Sequence, residues 1–225
     1  MFDWKINLGQ AVAAGTTFLV ALIALFQNPV RKWHNRPRLK LEFKSEEPYR
    51  QNFASGYDWW VAYRVAVVNK GRGGAENVRV FISNVEISSD DRQGWRDLTP
   101  FVPTELLWTH VETSVRDSVP AGYYLFVNFF NAYYTMNNRS VWFQNHQRVA
   151  GDDLGLEFST MISPRNAYNV VGPGTYRVHL TVTGNNVKTF TRKCVLIARP
   201  IMERIGTPSA TGHLIQDDPV DVHFE

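Results

Sequence analysis

The chain has 225 residues, 44% of them hydrophobic and 13% aromatic, with a net charge of +3, which is enough apolar material for one mid-sized core. A single cysteine, Cys194, excludes an intramolecular disulfide framework and any cysteine-rich metal site. The charge excess is local: residues 41 to 216 hold 18 basic and 16 acidic residues, so a nucleic-acid-binding surface is not indicated.

The first element is Leu8 to Phe26, LGQAVAAGTTFLVALIALF, a run of 19 residues without a charge. As a helix at about 1.5 Å per residue it covers roughly 28 Å, close to the ~30 Å hydrocarbon core of a bilayer. A cleaved signal peptide and a buried core helix compete with a membrane span. The start, MFDWK, sets Asp3 against Lys5, and no small-x-small site follows the run, which argues against a signal peptide. Residues 1 to 30 are therefore assigned as a membrane anchor, with Gly15 and Phe26 inside it and Trp4 and Trp33 flanking it at headgroup level. The bilayer is then the first partner expected.

Residues 31 to 38 form a basic juxtamembrane linker. Arg31, Lys32, Arg36, Arg38 and Lys40 occur without an intervening acid, whereas Asp3 and Lys5 cancel on the other side of the run. The positive-inside rule places the residues after the anchor in the cytoplasm, giving a single-pass protein with its N-terminus outside. Ala13, Thr17 and Ala21, with the pair Ala11 and Gly15, give the anchor a small-residue face of the kind through which spanning helices associate. Self-association is one expectation, and helix propensity alone is the alternative explanation of those alanines.

From residue 39 the apolar period becomes two. Leu39, Leu41 and Phe43 alternate with charge, and strands are predicted over 38–44, 59–69, 77–87, 95–98, 105–109, 122–130, 141–144, 154–161, 175–183 and 187–197. With no long amphipathic helix after the anchor, residues 39 to 198 are expected to form an antiparallel two-sheet sandwich. Residues 199 to 225, rich in Pro, Gly and acids, are expected to be a flexible tail, with docking of His213 to Ile215 onto the domain as the alternative.

The segment Val65 to Val80, VAVVNKGRGGAENVRV, resembles the hairpin of immunoglobulin-like sandwiches of the CARDB and NEW3 kind, with V-x-N-x-G, a short loop and A-x-N-V-x-V. VGPGTYRVHLTVTG is similar to a late strand of the same modules. The resemblance implies an all-β immunoglobulin-like fold behind one transmembrane α-helix, and a role in binding, spacing or anchoring.

Enzymatic signatures are absent from the sequence: it has no G-x-S-x-G elbow, no Gly-rich phosphate loop before a helix and no H-E-x-x-H. The six histidines do not fall at metal-ligand spacing, and His179, on the outward side of its strand, is expected to be solvated. The acidic pairs at 90–91, 152–153 and 217–218 read as solvated turns. No catalytic residue, metal or cofactor is expected.

GYYLFVNFFNAYYT, residues 122 to 135, is the most informative stretch for binding. Tyr123, Leu125, Val127 and Phe129 can serve the core, which leaves Tyr124, Phe126 and Phe130 on a face that ought to be polar. With Trp60, Tyr133 and Tyr134 they define a candidate interaction face. Its cover could be the same chain, a protomer or protein partner, or a small molecule that stacks on aromatics. Three functions follow: a membrane-anchored interaction module, a ligand-gated effector sensing a nucleotide signal in antiviral defence, or, with topology inverted, an envelope module.

Overall fold

The computed structural model describes residues 8–55, 58–89, 94–98, 101, 103–111, 113–134, 154–160, 170–199 and 220–225. Trp4, the strand expected at 141–144 and the segment His213 to Ile215 lie outside these described residues.

The chain opens on α1, Leu8–His34, a 27-residue helix. Its Ala- and Leu-rich composition favours the helical state, and its two internal hydroxyls stay within it. Thr16 Oγ1 donates to the carbonyls of Val12 and Ala13, and Thr17 Oγ1 donates to that of Ala13. The helix runs four residues beyond the expected anchor boundary at 30, through Pro29. Arg31 and Lys32 thus belong to its last turn and not to a linker, where cations complement the negative end of the helix dipole.

Among the described residues two antiparallel sheets follow, so the expected all-β sandwich is present. The six-stranded sheet has the order β1 (Leu39–Glu42), β3 (Asp58–Asn69), β8 (Tyr124–Tyr134), β9 (Leu154–Phe158) and β10 (Val170–Val171), with β2 (Arg50–Ser55) also paired to β3. The seven-stranded sheet runs β13 (Val220–Phe224), β12 (Phe190–Ala198), β11 (Gly174–Thr183), β4 (Ala75–Ser89) and β5 (Gly94–Asp97), with β6 (Thr104–Glu105) and β7 (Val115–Val119) also on β4. Antiparallel pairing with one side packed inward requires period-two sequences, and β11 supplies one: Tyr176, Val178, Leu180 and Val182 are all buried. Val78, Val80 and Ile82 of β4 and Leu39 and Leu41 of β1 face the same core.

One segment ties the sheets together along one side. Thr104 and Glu105 pair with Ile82 and Phe81 of the seven-stranded sheet, and three residues later Trp108 bridges to Val127 of the other sheet. Trp108 is buried between them, its indole N–H donating to the carbonyl of Ser114 at 3.2 Å.

The boundary expected at 198 is corrected by β13. Val220 and Val222 are buried, and the strand pairs with β12 from Ala198↔Val220 to Cys194↔Phe224. Burying two valines while completing a backbone ladder outweighs the acidic, proline-flanked character of this stretch. The end of the chain is therefore part of the sandwich.

Candidate interaction face

The helix joins the sandwich through a side-chain clasp. Asn69, at the end of β3, is fully buried and uses its whole amide. Its Oδ1 accepts the backbone N–H groups of Arg38 (3.1 Å) and Gly71 (2.9 Å). Its Nδ2 donates to the carbonyls of Gly73 (2.8 Å) and Val119 (3.0 Å). The turn NKGRGG lies against the helix exit so closely that a Cβ on Gly73 would sit 1.9 Å from the carbonyl oxygen of Asn35. One on Gly71 would sit 2.4 Å from that of Arg36. Glycine is required here for close backbone approach. Lys70 adds a backbone bond to Arg38 (2.8 Å) and an ion pair with Glu42 (3.5 Å), and Arg72 reaches the His34 ring. The clasp gives Asn69 a role that strand periodicity does not mark; its signal in the sequence is the Asn before a Gly-rich turn.

Trp33, Arg31, Arg36, Arg38 and Lys40 are exposed around this junction, and Gly15 and Phe26 are exposed on the helix. A Cβ added at Gly15 would meet nothing within 4 Å. Tyr123 and Tyr124 project beside the same end of the sandwich, 65% and 56% exposed. Lys40, Val68 and Tyr124 lie side by side across β1, β3 and β8.

On the outer side of the six-stranded sheet the expected aromatic face divides into two clusters. In the first, Tyr49, Ala66 and Val68 are buried with Phe43 and Phe126 packed around them. Tyr49 meets Phe126 edge-on at 5.0 Å, and Tyr124 meets Phe126 edge-on at 5.5 Å. The cover is thus the chain's own stretch before β2, whose Tyr49 carbonyl accepts the Arg64 N–H at 2.7 Å. Burial holds the Tyr49 hydroxyl above its ordinary pKa. In the second cluster Trp60 stacks on Phe53 at 5.3 Å and lies 6.4 Å from Tyr133. Burial, then the nearby Glu157 carboxylate, pushes the Tyr133 hydroxyl well up. Tyr134 occupies the register position opposite Trp59.

Phe130 does not belong to this face. It is 0% exposed in the main core, stacked on Tyr63 at 4.4 Å. The cause is a register shift in the β3–β8 ladder between Tyr63 and Arg64, after which Phe129 and its neighbour Phe130 are both buried. Of the residues expected on this face, Trp60, Tyr124, Phe126 and Tyr133 lie on the outer side of the sheet.

The outer side of the other sheet is polar and internally paired. Glu86 accepts from Arg177 (3.4 Å) and contacts His179 Nε2 (3.2 Å). Arg177 also pairs with Glu225 (3.1 Å) and lies 4.0 Å over the Trp95 ring. His179 is accordingly half-buried beside a carboxylate and not simply solvated.

Among the described residues no group of three or more His, Cys, Asp or Glu side chains could hold a metal ion. Comparison with family models, curated proteins and solved structures finds no match. The class that the fold itself defines is an all-β, antiparallel, two-sheet sandwich following an apolar helix long enough to cross a membrane.

Proposed function

We propose that this chain is a single-span membrane protein whose immunoglobulin-like sandwich lies on the cytoplasmic side and acts as a non-enzymatic interaction module. The observation that carries the reading is the state of the helix. None of the described residues in its candidate span, Val12–Arg31, is buried by the protein, and Phe18 and Leu25 are 66% and 70% exposed. A core helix of a soluble protein is covered by its neighbours. Here the cover has to come from elsewhere, and lipid is the solvent that suits a charge-free stripe of this length. Exposed basic residues at the exit favour the cytoplasmic side.

The anchor concentrates the sandwich at the bilayer surface, which raises its effective concentration toward a partner held there. Trp60 with Phe53 and Tyr133 on one part of the outer sheet, and Tyr123 with Tyr124 at the helix end, supply the aromatic anchors that protein interfaces favour. The partner is a protein or a second copy of the chain. The hairpin likeness to binding and spacing modules supports the same role.

Protease added to intact spheroplasts, then to lysed ones, tests the arrangement through a tag placed after Glu225. The tag is expected to survive until lysis. Its loss from intact spheroplasts would place the sandwich on the other side and leave an envelope module as the reading.

A further inference from the structure

The segment that closes the side of the sandwich stops short of the end of β8. Thr109 donates its N–H to the carbonyl of Phe126 at 2.9 Å, and the chain then turns back, with the Thr113 carbonyl accepting from Trp108 at 3.0 Å. Beyond that turn a cleft of about 290 Å³ opens between Trp108, His110, Arg116, Tyr124 and Phe126.

Three features come together at this cleft. Arg116 is half-buried, yet it makes no ion pair or side-chain hydrogen bond among the described residues. Arg79, Arg177 and Arg199, by contrast, each hold a carboxylate at 3.0, 3.1 and 2.9 Å. His110, exposed at the cleft, has φ of +66°, a left-handed conformation uncommon outside glycine and found more often where a loop serves a site. Tyr124 stands 56% exposed with its neighbour Phe126 edge-on to it, so an aromatic wall is left open. Among the described residues no carboxylate lines the cleft. A guanidinium partly removed from water attracts an anion in a planar, two-pronged geometry, and an open aromatic wall attracts a flat ring.

We propose that this cleft binds a small planar aromatic anion of the chemical class of a nucleoside monophosphate. The ring lies against Tyr124 and Phe126, and the charged group sits at Arg116 with His110 at its side. The volume lies just below the ~300–1,000 Å³ usual for small-molecule sites, which suits one ring system with its anionic group. A second open cavity among the described residues, about 580 Å³ beside Asn77, Asn185 and Phe81, lacks this combination because its Arg79 is already paired with Glu105. The site is independent of membrane topology, so failure of the protease-protection test leaves it standing.

The experiment is calorimetric titration of the full chain in detergent with adenosine and uridine monophosphates, with adenosine and inorganic phosphate as separate halves. Saturable binding of a monophosphate is expected, tighter than either half, and weakened about ten-fold or more by Arg116→Gln and by Tyr124→Ala. Both variants are expected to keep the wild-type melting temperature. Photolabelling of the wild-type chain with an azido-adenosine monophosphate supplies a readout that needs no variant, and the label is expected within residues 108–126. No saturable binding of either nucleotide up to millimolar concentration, binding indifferent to Arg116→Gln, phosphate binding as tightly as the nucleotides, or label placed elsewhere would each overturn the proposal.

Discussion

Asn69 Oδ1 accepts the backbone N–H of Arg38 at 3.1 Å, across 31 positions of sequence, and so fixes the helix exit to the far end of β3. The same amide serves Gly71, Gly73 and Val119, so one side chain holds the exit, the β3–β4 turn and the end of β7 together. Replacing it with alanine leaves two N–H groups and two carbonyls to find other partners. At about 1–3 kcal/mol for each buried group left unsatisfied, and with water able to reach part of the junction, Asn69→Ala is expected to cost about 2–4 kcal/mol. Thermal unfolding of the full chain in detergent measures the loss, and limited proteolysis should show new cutting between Asn35 and Arg38. A variant as stable and as resistant as wild type would mean that the clasp does not hold the junction.

Phe130 and Tyr124 are six residues apart on one strand and separate the core from the surface. Truncating a buried phenylalanine costs about 3–5 kcal/mol, because the cavity adds to the lost transfer energy. Phe130→Ala should therefore unfold at much lower denaturant concentration. Tyr124→Ala, at a 56% exposed position, is expected to change stability by less than about 0.5 kcal/mol. Urea titrations with equal m-values decide the matter. Equal losses in the two variants would place Phe130 on the outer face after all.

That pair also shows where sequence pattern reaches its limit. Regular alternation in β1, β11 and the first half of β4 reveals both the strands and their inward sides, because a two-residue period maps directly onto the two faces of a sheet. A register shift adds a residue to the count and reverses the phase beyond it, and nothing in LFVNFFNAYY marks where that happens. The turn NKGRGG announces a hairpin, but its fit against Asn35 and Arg36 depends on residues some 35 positions away. β13 carries a legible alternation of Val220, Val222 and Phe224, set within a stretch whose composition points to a flexible tail. The cleft at His110 and Arg116 has no local signature, since it is assembled from a turn and two strands that come together only in the fold.

Gly15 gives a direct test of helix association. A Cβ there meets nothing within 4 Å, so Gly15→Leu should leave a single chain undisturbed. If the small-residue face brings helices together, the added bulk keeps their backbones apart. Chemical cross-linking in membranes should then show a several-fold loss of the dimer or higher species, with expression and melting temperature unchanged. Cross-linking equal to wild type would assign any self-association to the sandwich.

Cys194 sits fully buried in β12, and desolvation pushes its thiol pKa well above the ordinary value of 9.0. The sign of the consequence follows from proton counting. Well below pH 9 the thiol is protonated in both folded and unfolded chains, and it contributes no pH dependence. Above that point the unfolded chain releases the proton and the folded chain keeps it, so the unfolded state binds fewer protons and stability falls as pH rises. The Cys194 contribution approaches about 1.4 kcal/mol per pH unit once the unfolded thiol is mostly ionised. The raised hydroxyls of Tyr49 and Tyr133 act in the same direction, beginning about one unit higher. Urea unfolding between pH 8 and pH 10.5 should show this decline, and Cys194→Val, which fills a similar apolar volume, should flatten its first part while leaving the tyrosine-dependent part in place. A variant with the same slope as wild type from pH 9 to 10 would mean that the thiol ionises in the folded chain, and hence that water reaches the core beneath β13.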